Sequence, residues 1–416
     1  MKWKAYSEYR PSDVEWLGKV PDAWEMRRLK NIARFAYGDP LAAEDRVVGN
    51  CSVYGSNGIV GQHDRPNTKG PCLIVGRKGS FGKIAYSEKP CFAIDTTYFV
   101  DDRYTCNNMR WLYYCLHCLR LDAFSKDSAV PGLSREDAYE NVLPFCPPDE
   151  QRAIVAFLNR ETTRIDALIA KKQPQIELLQ EKRAAIISHA VTNGLDANAP
   201  MKDSGIEWLE EVPNHWEVKP LGKVFKIING STPKSGELNY WDGSIVWATP
   251  DDLGNLSSDT LWTTRRTITE EGYGSCGTSL APAGSLVLST RAPIGHVAIA
   301  GVPLCTNQGC RALVPRNAEF ERFLYYQLVT ARPELESWGQ GSTFKELSRD
   351  RLAAIHLAIP PFDEQRAIAD FLDRETARID ALIAKINLSI TALREYRNAI
   401  ISAAVTGKID VREGAA

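Results

Sequence analysis

Several residue patterns in this chain have the composition of reactive sites, and each stops short of the chemistry it suggests. Cys115 and Cys118 form a C-x-x-C with His117 between them. A zinc site needs four ligands, and no second pair stands at suitable spacing, so this pair reads as small core residues on a helix. Gly272-x-Gly274-x-x-Gly277 matches a dinucleotide-binding fingerprint, but it follows Ile268-Thr269-Glu270-Glu271 rather than a strand-like run, and it reads as a turn. Ile359-Pro360-Pro361-Phe362 has the outline of the [Asn/Asp]-Pro-Pro-aromatic motif of adenine methyltransferases. That motif's first residue must hold the amino group being methylated, which Ile cannot do. Pro148-Asp149 and Pro250-Asp251 lack the downstream Glu-x-Lys that a two-carboxylate metal site would use. No G-x-x-x-x-G-K-[ST] phosphate loop occurs, and the six histidines are dispersed. The expectation is a chain that catalyses nothing by itself and binds no cofactor of its own.

Charge points elsewhere. The net charge is −2, but phosphate contacts depend on clusters rather than totals. Arg65, Lys69, Arg77, Lys78, Lys83 and Lys89 face one acid, Glu88, and Lys219, Lys223, Lys226 and Lys234 have no acid between them. A solvated surface would give the same pattern, so charge alone does not decide.

The strongest signal is internal repetition, which sets the elements that position any site. Asp149 to Lys171 (DEQRAIVAFLNRETTRIDALIAK) recurs as Asp363 to Lys385 (DEQRAIADFLDRETARIDALIAK), with 19 of 23 positions identical. Glu15-Trp16-Leu17, Val20-Pro21 and Trp24-Glu25 recur as Glu207-Trp208-Leu209, Val212-Pro213 and Trp216-Glu217. The offsets are 214 and 192, so the second half carries 22 more residues between its repeated elements. Each half is a short Trp-bearing lead-in, a variable domain and a long helix. Between the halves, Gly38 falls opposite Gly230, Leu133-Ser134-Arg135 opposite Leu347-Ser348-Arg349, and Arg77-Lys78-Gly79-Ser80-Phe81-Gly82 opposite Arg291-Ala292-Pro293-Ile294-Gly295.

Pro147-Pro148 and Pro360-Pro361 precede long amphipathic runs, as at helix starts. In the second run Ile368, Leu372, Ile379, Leu382, Ile386, Leu393 and Ile400 recur at steps of 3 and 4, with Glu375, Ser389 and Tyr396 completing an a/d seam. The first run repeats it with Ile154, Leu158, Ile165, Leu168, Leu179 and Ile186, and Pro174 should kink or break it. Two near-identical seams pair most simply as an antiparallel coiled coil, which would put the variable domains at opposite ends. A homodimeric coil is the competing arrangement. The variable domains read as mixed α/β, with strands at Cys72-Val75 and Ser285-Ser289 and helices at Trp111-Leu121 and Phe320-Val329. The expected fold is thus two α/β (α+β) variable domains, duplicated, separated by two long helices forming an antiparallel coiled coil. The expected division is 1–147, 148–196, 197–360 and 361–416. Hydrophobic residues at 44% and charged residues at 25% suit a globular protein. With no run near the ~20 apolar residues of a membrane helix and no signal-peptide pattern at Met1 to Tyr6, the expected location is the cytoplasm.

Two variable domains alternating with two near-identical helices, opened by Pro148-Asp149-Glu150-Gln151-Arg152 and Asp363-Glu364-Gln365-Arg366, resemble the specificity subunits of type I restriction-modification systems. Tyr240-Trp241-Asp242-Gly243 and Trp247-Ala248-Thr249-Pro250-Asp251-Asp252-Leu253 are similar to a segment of that family's recognition domains. The resemblance covers essentially the whole chain. It implies that each variable domain reads one half of a bipartite site in double-stranded DNA. It implies that the helices set the spacer and dock two methyltransferase subunits, and that two translocase-nuclease subunits join for restriction. S-adenosylmethionine, ATP and Mg would then belong to the partners. Base edges are read in the major groove by polar and charged side chains. On that reading the candidate DNA-binding residues are Arg77, Lys78, Ser80 and Lys83 in one Gly-rich loop and Arg291 and His296 in the matching loop. Thr232, Lys234, Gln308, Arg311 and Lys345 complete the set. The alternatives are the recognition portion of a combined methyltransferase-recognition enzyme and a coiled-coil scaffold with no DNA role.

Overall fold

The computed structural model describes residues 3–119, 121–123, 132–316, 320–341 and 345–412. They form two compact units, one of Met1–Gln173 with Asn387–Ala416 and the other of Pro174–Ile386.

In the first unit an antiparallel sheet runs in the order Ala36–Tyr37, Thr97–Val100, Cys72–Gly76, Ile84–Ser87. Cys72–Gly76 is buried throughout, which is why it reads as an unbroken apolar run. A second sheet joins Gly58–His63, Cys51–Gly55 and Phe92–Ala93. The helix Met109–Cys118 starts at Asn108, whose side chain accepts from the Arg110 and Trp111 amides. It buries Trp111, Leu112, Cys115 and Leu116 in the core. Cys118, on the same helix, is half-buried.

The second unit repeats the plan with Phe225–Asn229, Cys310–Pro315, Leu286–Ser289 and Val297–Ala300, and adds Thr260–Leu261 as a parallel edge strand. Its second sheet joins Thr267–Ile268, Trp241–Ala248 and Leu304–Thr306. Most of the extra length of this half lies between Trp247 and Cys305, whose counterparts in the first unit are Val53 and Phe92. Gly272 and Gly274 lie in the short helix Glu270–Gly274, where a turn was expected. The helix Glu321–Thr330 falls one residue from its expected place.

The repeated motifs meet. The indole nitrogens of buried Trp24 and Trp216 donate to Glu150 (2.9 Å) and Glu364 (3.1 Å). Gln151 and Gln365 accept from the amides of Asn108 (3.0 Å) and Phe320 (2.9 Å) and donate to the carbonyls of Cys146 and Pro360. The Glu and Gln of each DEQR motif therefore tie lead-in, helix and strand together at the helix start.

The long helices are Pro148–Asn193 and Phe362–Val405, 46 and 44 residues. At 1.5 Å per residue each extends about 65–70 Å. In the first unit Ile154, Phe157, Leu158 and Ile165 share a core with Ile400, Ile401, Ala404 and Val405, and Arg397 pairs with Asp166 at 3.0 Å. In the second, Ile368, Ala369 and Leu372 share a core with Ile187, Ala190 and Val191, and Arg183 pairs with Asp380 at 3.1 Å. Both arrangements run antiparallel and within one chain, and the repeat maps one ion pair onto the other.

Two expectations need correction. Of the expected seam Ile368, Leu372, Ile379 and Ile400 are buried, and Thr376 and Ile390 are buried with them, while Leu382 is 42% exposed and Tyr396 39% exposed. Leu168 is likewise 40% exposed, and Ile169 is packed against the core in its stead. Leu168-Ile169 and Leu382-Ile383 are adjacent apolar pairs, and either member satisfies a 3–4 step. Thr162 and Thr376 decide the phase: each hydroxyl bonds the carbonyl one turn back, at Leu158 or Leu372, so these polar residues fit a buried seam. Of the two outcomes expected at Pro174 the break does not occur, because the helix continues through it. A proline there deletes one backbone hydrogen bond, and Ile176 just beyond it is buried, at 6% exposure.

Candidate nucleic-acid interface

Strand pairing places the two candidate loops on one scaffold. Val75 pairs with Tyr98, and Leu288 with Arg311. After each strand the chain turns between the same hydrogen-bonded ends: Gly82 donates to Gly76 (2.9 Å) in one unit, and Gly295 to Ser289 (3.0 Å) in the other. Both Gly82 and Gly295 have positive φ, +74° and +88°. The amides of Arg77 and Lys78 donate to Thr96, and those of Thr290 and Arg291 to Gly309. Leu133 donates to the Arg77 carbonyl, and Leu347 to that of Thr290.

The backbone thus matches Arg291 to Lys78, His296 to Lys83, and Thr290 to Arg77, one residue away from the alignment drawn on Arg77 and Arg291. The sequence offers Arg-x-x-x-Gly in one loop and Arg-x-x-x-x-Gly in the other, and only the hydrogen-bonded ends fix the register. The pairing of Gly38 with Gly230 stands. A Cβ at either would lie about 2 Å from a backbone oxygen, 2.1 Å from Ile94 and 2.0 Å from Asn307. No side chain fits at that approach.

In the first unit the Arg77 guanidinium lies over Tyr37 at 4.8 Å and Tyr98 at 5.9 Å, and donates to the Asp95 carbonyl at 3.3 Å. Arg135 lies over the same Tyr37 ring at 5.0 Å. Tyr37, Arg77, Lys78, Tyr98 and Arg135 line one open concavity. Burial pushes the Tyr98 hydroxyl up to about 12, so it stays protonated and donates to the Leu133 carbonyl. Lys78 is exposed. Ser80 is half-buried in the loop, and Lys83 turns to Asn57 at 2.5 Å.

The second unit fills the same place differently. Arg311 stands where Tyr98 does, and donates to the carbonyls of Gln308 (2.9 Å) and Cys310 (3.0 Å). The Arg77 and Arg311 guanidinia therefore reach equivalent carbonyls, at Asp95 and Gln308, from different chain positions. Glu346 pairs with Arg291 at 3.2 Å and approaches Arg311 at 3.9 Å. Burial lowers the Arg311 pKa, which Glu346 opposes. The Thr232 hydroxyl donates to the exposed Gln308 side chain, so those two candidates meet. His296 is half-buried beside Gly254, and Lys345 and Lys234 are exposed.

Sequence reasoning missed Tyr37, Tyr98, Glu346, Arg135 and Arg349 as members of these clusters. For the two arginines a signal was present, since Leu-Ser-Arg recurs in both halves. Tyr37 and Tyr98 carried none, because their counterparts are Asn229 and Arg311.

Comparison with known proteins bears on this geometry. The family model described as type I restriction modification DNA specificity domain matches residues 21–178 and 213–392. The specificity subunit of the type I restriction enzyme MjaIX of Methanocaldococcus jannaschii is 37% identical over 164 residues, covering 39% of this chain and 38% of that protein. The putative MjaX specificity subunit of the same organism is 25% identical across 95% of this chain and 96% of its own length. Among solved structures, a chain from a study of complex assembly and conformational transition of the type I R-M system superposes with a TM-score of 0.71. It is 18% identical and covers 93% of this chain and 98% of that one. The HsdS subunit from Thermoanaerobacter tengcongensis gives 0.52 at 19% identity, over 94% and 98%. These structural likenesses speak for the fold.

Proposed function

Given that the chain belongs to the type I restriction-modification DNA specificity domain family, we propose that it is the part of such a complex that reads a bipartite site in double-stranded DNA, one half-site per unit. The observation that carries this is a loop held at the same hydrogen-bonded ends in both units but presenting different side chains. The turn after Gly76 and the turn after Ser289 share their backbone hydrogen bonds, yet present Arg77, Lys78, Ser80 and Lys83 in one unit and Thr290, Arg291, Pro293 and His296 in the other. A scaffold kept constant under a changed surface suits two readers of different base edges. Thr232, Lys234, Gln308, Arg311 and Lys345 belong to the second reader.

On this reading the long helices set the spacer between half-sites and dock two methyltransferase subunits, with two translocase-nuclease subunits joining for cleavage. The chain performs no catalysis alone. S-adenosylmethionine, ATP and Mg are the partners' ligands, and the complex works in the cytoplasm. Among the described residues no helix is long and apolar enough to cross a membrane. Selection of bound duplexes from a random library by the complex of this chain with its methyltransferase tests the reading. Two short motifs at a fixed separation are expected. One continuous motif, or none, would overturn it. Calorimetric S-adenosylmethionine binding by the lone chain would favour the combined enzyme.

A further inference from the structure

Around the shared turn the two units differ at most polar and aromatic side chains, and one charged residue is the same in both. Tyr37 faces Asn229 across the equivalence, Tyr98 faces Arg311, Arg77 faces Thr290, and Lys83 faces His296. Arg135 and Arg349 are the same residue at the same place. Each follows a serine whose hydroxyl caps a short helix, Ser134 accepting from the Asp137 amide and Ser348 from the Arg351 amide. Each serine follows a buried leucine, Leu133 or Leu347, bonded to the carbonyl after the central strand.

Packing does not account for this identity. Arg135 stacks on Tyr37, and the second unit has Asn229 there, so the surface under the arginine has changed while the arginine has not. The leucine and the serine already supply the buried anchor and the cap. Each arginine belongs to its cluster: Arg135 lines the concavity with Arg77 and Lys78, and Arg349 lies two residues after Leu347, whose amide bonds the Thr290 carbonyl next to Arg291. Arg349 is exposed and Arg135 half-exposed. The acids that follow, Glu136 and Asp350, occupy the next helical position, and adjacent positions on a helix point different ways.

A feature common to two readers of different sequences must meet something common to both half-sites. In a DNA duplex that is the phosphate backbone, because base edges differ and phosphates do not. We infer that Arg135 and Arg349 are positioning residues that each grip a backbone phosphate in the same way in the two units, fixing the register in which the unequal side chains meet the bases. This rests on the DNA-recognition reading above.

The test is equilibrium binding of the full chain in its methyltransferase complex to cognate and scrambled duplexes, over a series of salt concentrations. Arg135→Ala and Arg349→Ala should each weaken binding to both duplexes by the same factor. Each should make the slope of log K against log[salt] shallower by about 0.9, the value for one phosphate contact, and the double variant by about 1.8. Lysine keeps a point charge suited to phosphate but lacks the bidentate fork that reads guanine. Arg135→Lys and Arg349→Lys should therefore recover most of the affinity and the full slope. Loss confined to the cognate duplex, with the slope unchanged or with no rescue by lysine, would make these residues base readers and overturn the inference. Wild-type affinity and slope in both alanine variants would overturn it too. If the wild-type complex shows no preference for any duplex, the recognition reading fails instead.

Discussion

Replacing Glu150 with alanine should cost the first unit far more than an ordinary surface change. The carboxylate is 8% exposed and accepts two hydrogen bonds from buried donors, the Tyr6 hydroxyl at 2.5 Å and the Trp24 indole at 2.9 Å. Burial first, and then the bond to Glu150, push the Tyr6 hydroxyl far above its ordinary range, so it remains a donor. Alanine leaves both donors buried without a partner, at about 1–3 kcal/mol each, and also opens space beside Trp24. The total is about 3–5 kcal/mol. For a unit of this size about 1 kcal/mol moves the midpoint by roughly 2–4 °C, so the transition should fall by roughly 6–20 °C. Glu364→Ala should cost less, about 1.5–3 kcal/mol, because only Trp216 is stranded there: the second partner, His215, is 49% exposed and turns to water. Glu150→Gln keeps an acceptor oxygen and should lie between wild type and alanine. Differential scanning calorimetry of the full chain reads these shifts. A drop of less than 1 °C for Glu150→Ala, or a larger drop for Glu364→Ala, would refute the claim that this glutamate holds the lead-in to the helix.

The seam makes a paired prediction: Leu372→Ala, fully buried, should destabilise by about 2–5 kcal/mol, and Leu382→Ala, 42% exposed, by less than about 0.5. Equal losses in urea unfolding would restore the other seam phase. For Asp101, burial alone raises the pKa, but the Arg103 guanidinium and the amides of Lys69 and Arg103 outweigh it and hold the carboxyl below the usual range. Its stabilisation is therefore complete above the unfolded value of about 3.9 and is lost as pH falls through the lower folded value. Asp101→Asn should remove that part of the acid-side loss, and an unchanged stability-against-pH curve for the variant would contradict it. Removing one heptad from each long helix keeps the a/d register and shortens the pair by about 10 Å, or roughly three base pairs. Binding should shift to a shorter spacer or be lost, and tight binding at the original spacer would mean that the helices do not set the distance.

The duplication and the long helices were legible because near-identity between distant segments and a 3–4 apolar rhythm are written directly in residue types. The seam phase was not, because Leu382 and Ile383 are equally apolar neighbours and the deciding residue, Thr376, is polar. Pro174 pointed to a break that does not occur, because one lost hydrogen bond does not by itself end a 46-residue helix. The candidate site was half legible. Basic residues in a Gly-rich turn stood out, but Tyr37 and Tyr98 reach Arg77 only through strand pairing. The true match of Arg291 is Lys78, because hydrogen bonds at the ends of the turn set it and similarity of letters does not.

The central claim is that each unit reads its own half-site, and a domain exchange tests it most directly. Residues of about 30–146 would be replaced by the first variable domain of another member of the family, and the modified sites mapped by methylome sequencing in a host carrying the matching methyltransferase. The account predicts a new sequence in one half of the site, with the other half and the spacer unchanged. A change in both halves, or the original site retained intact, would contradict it.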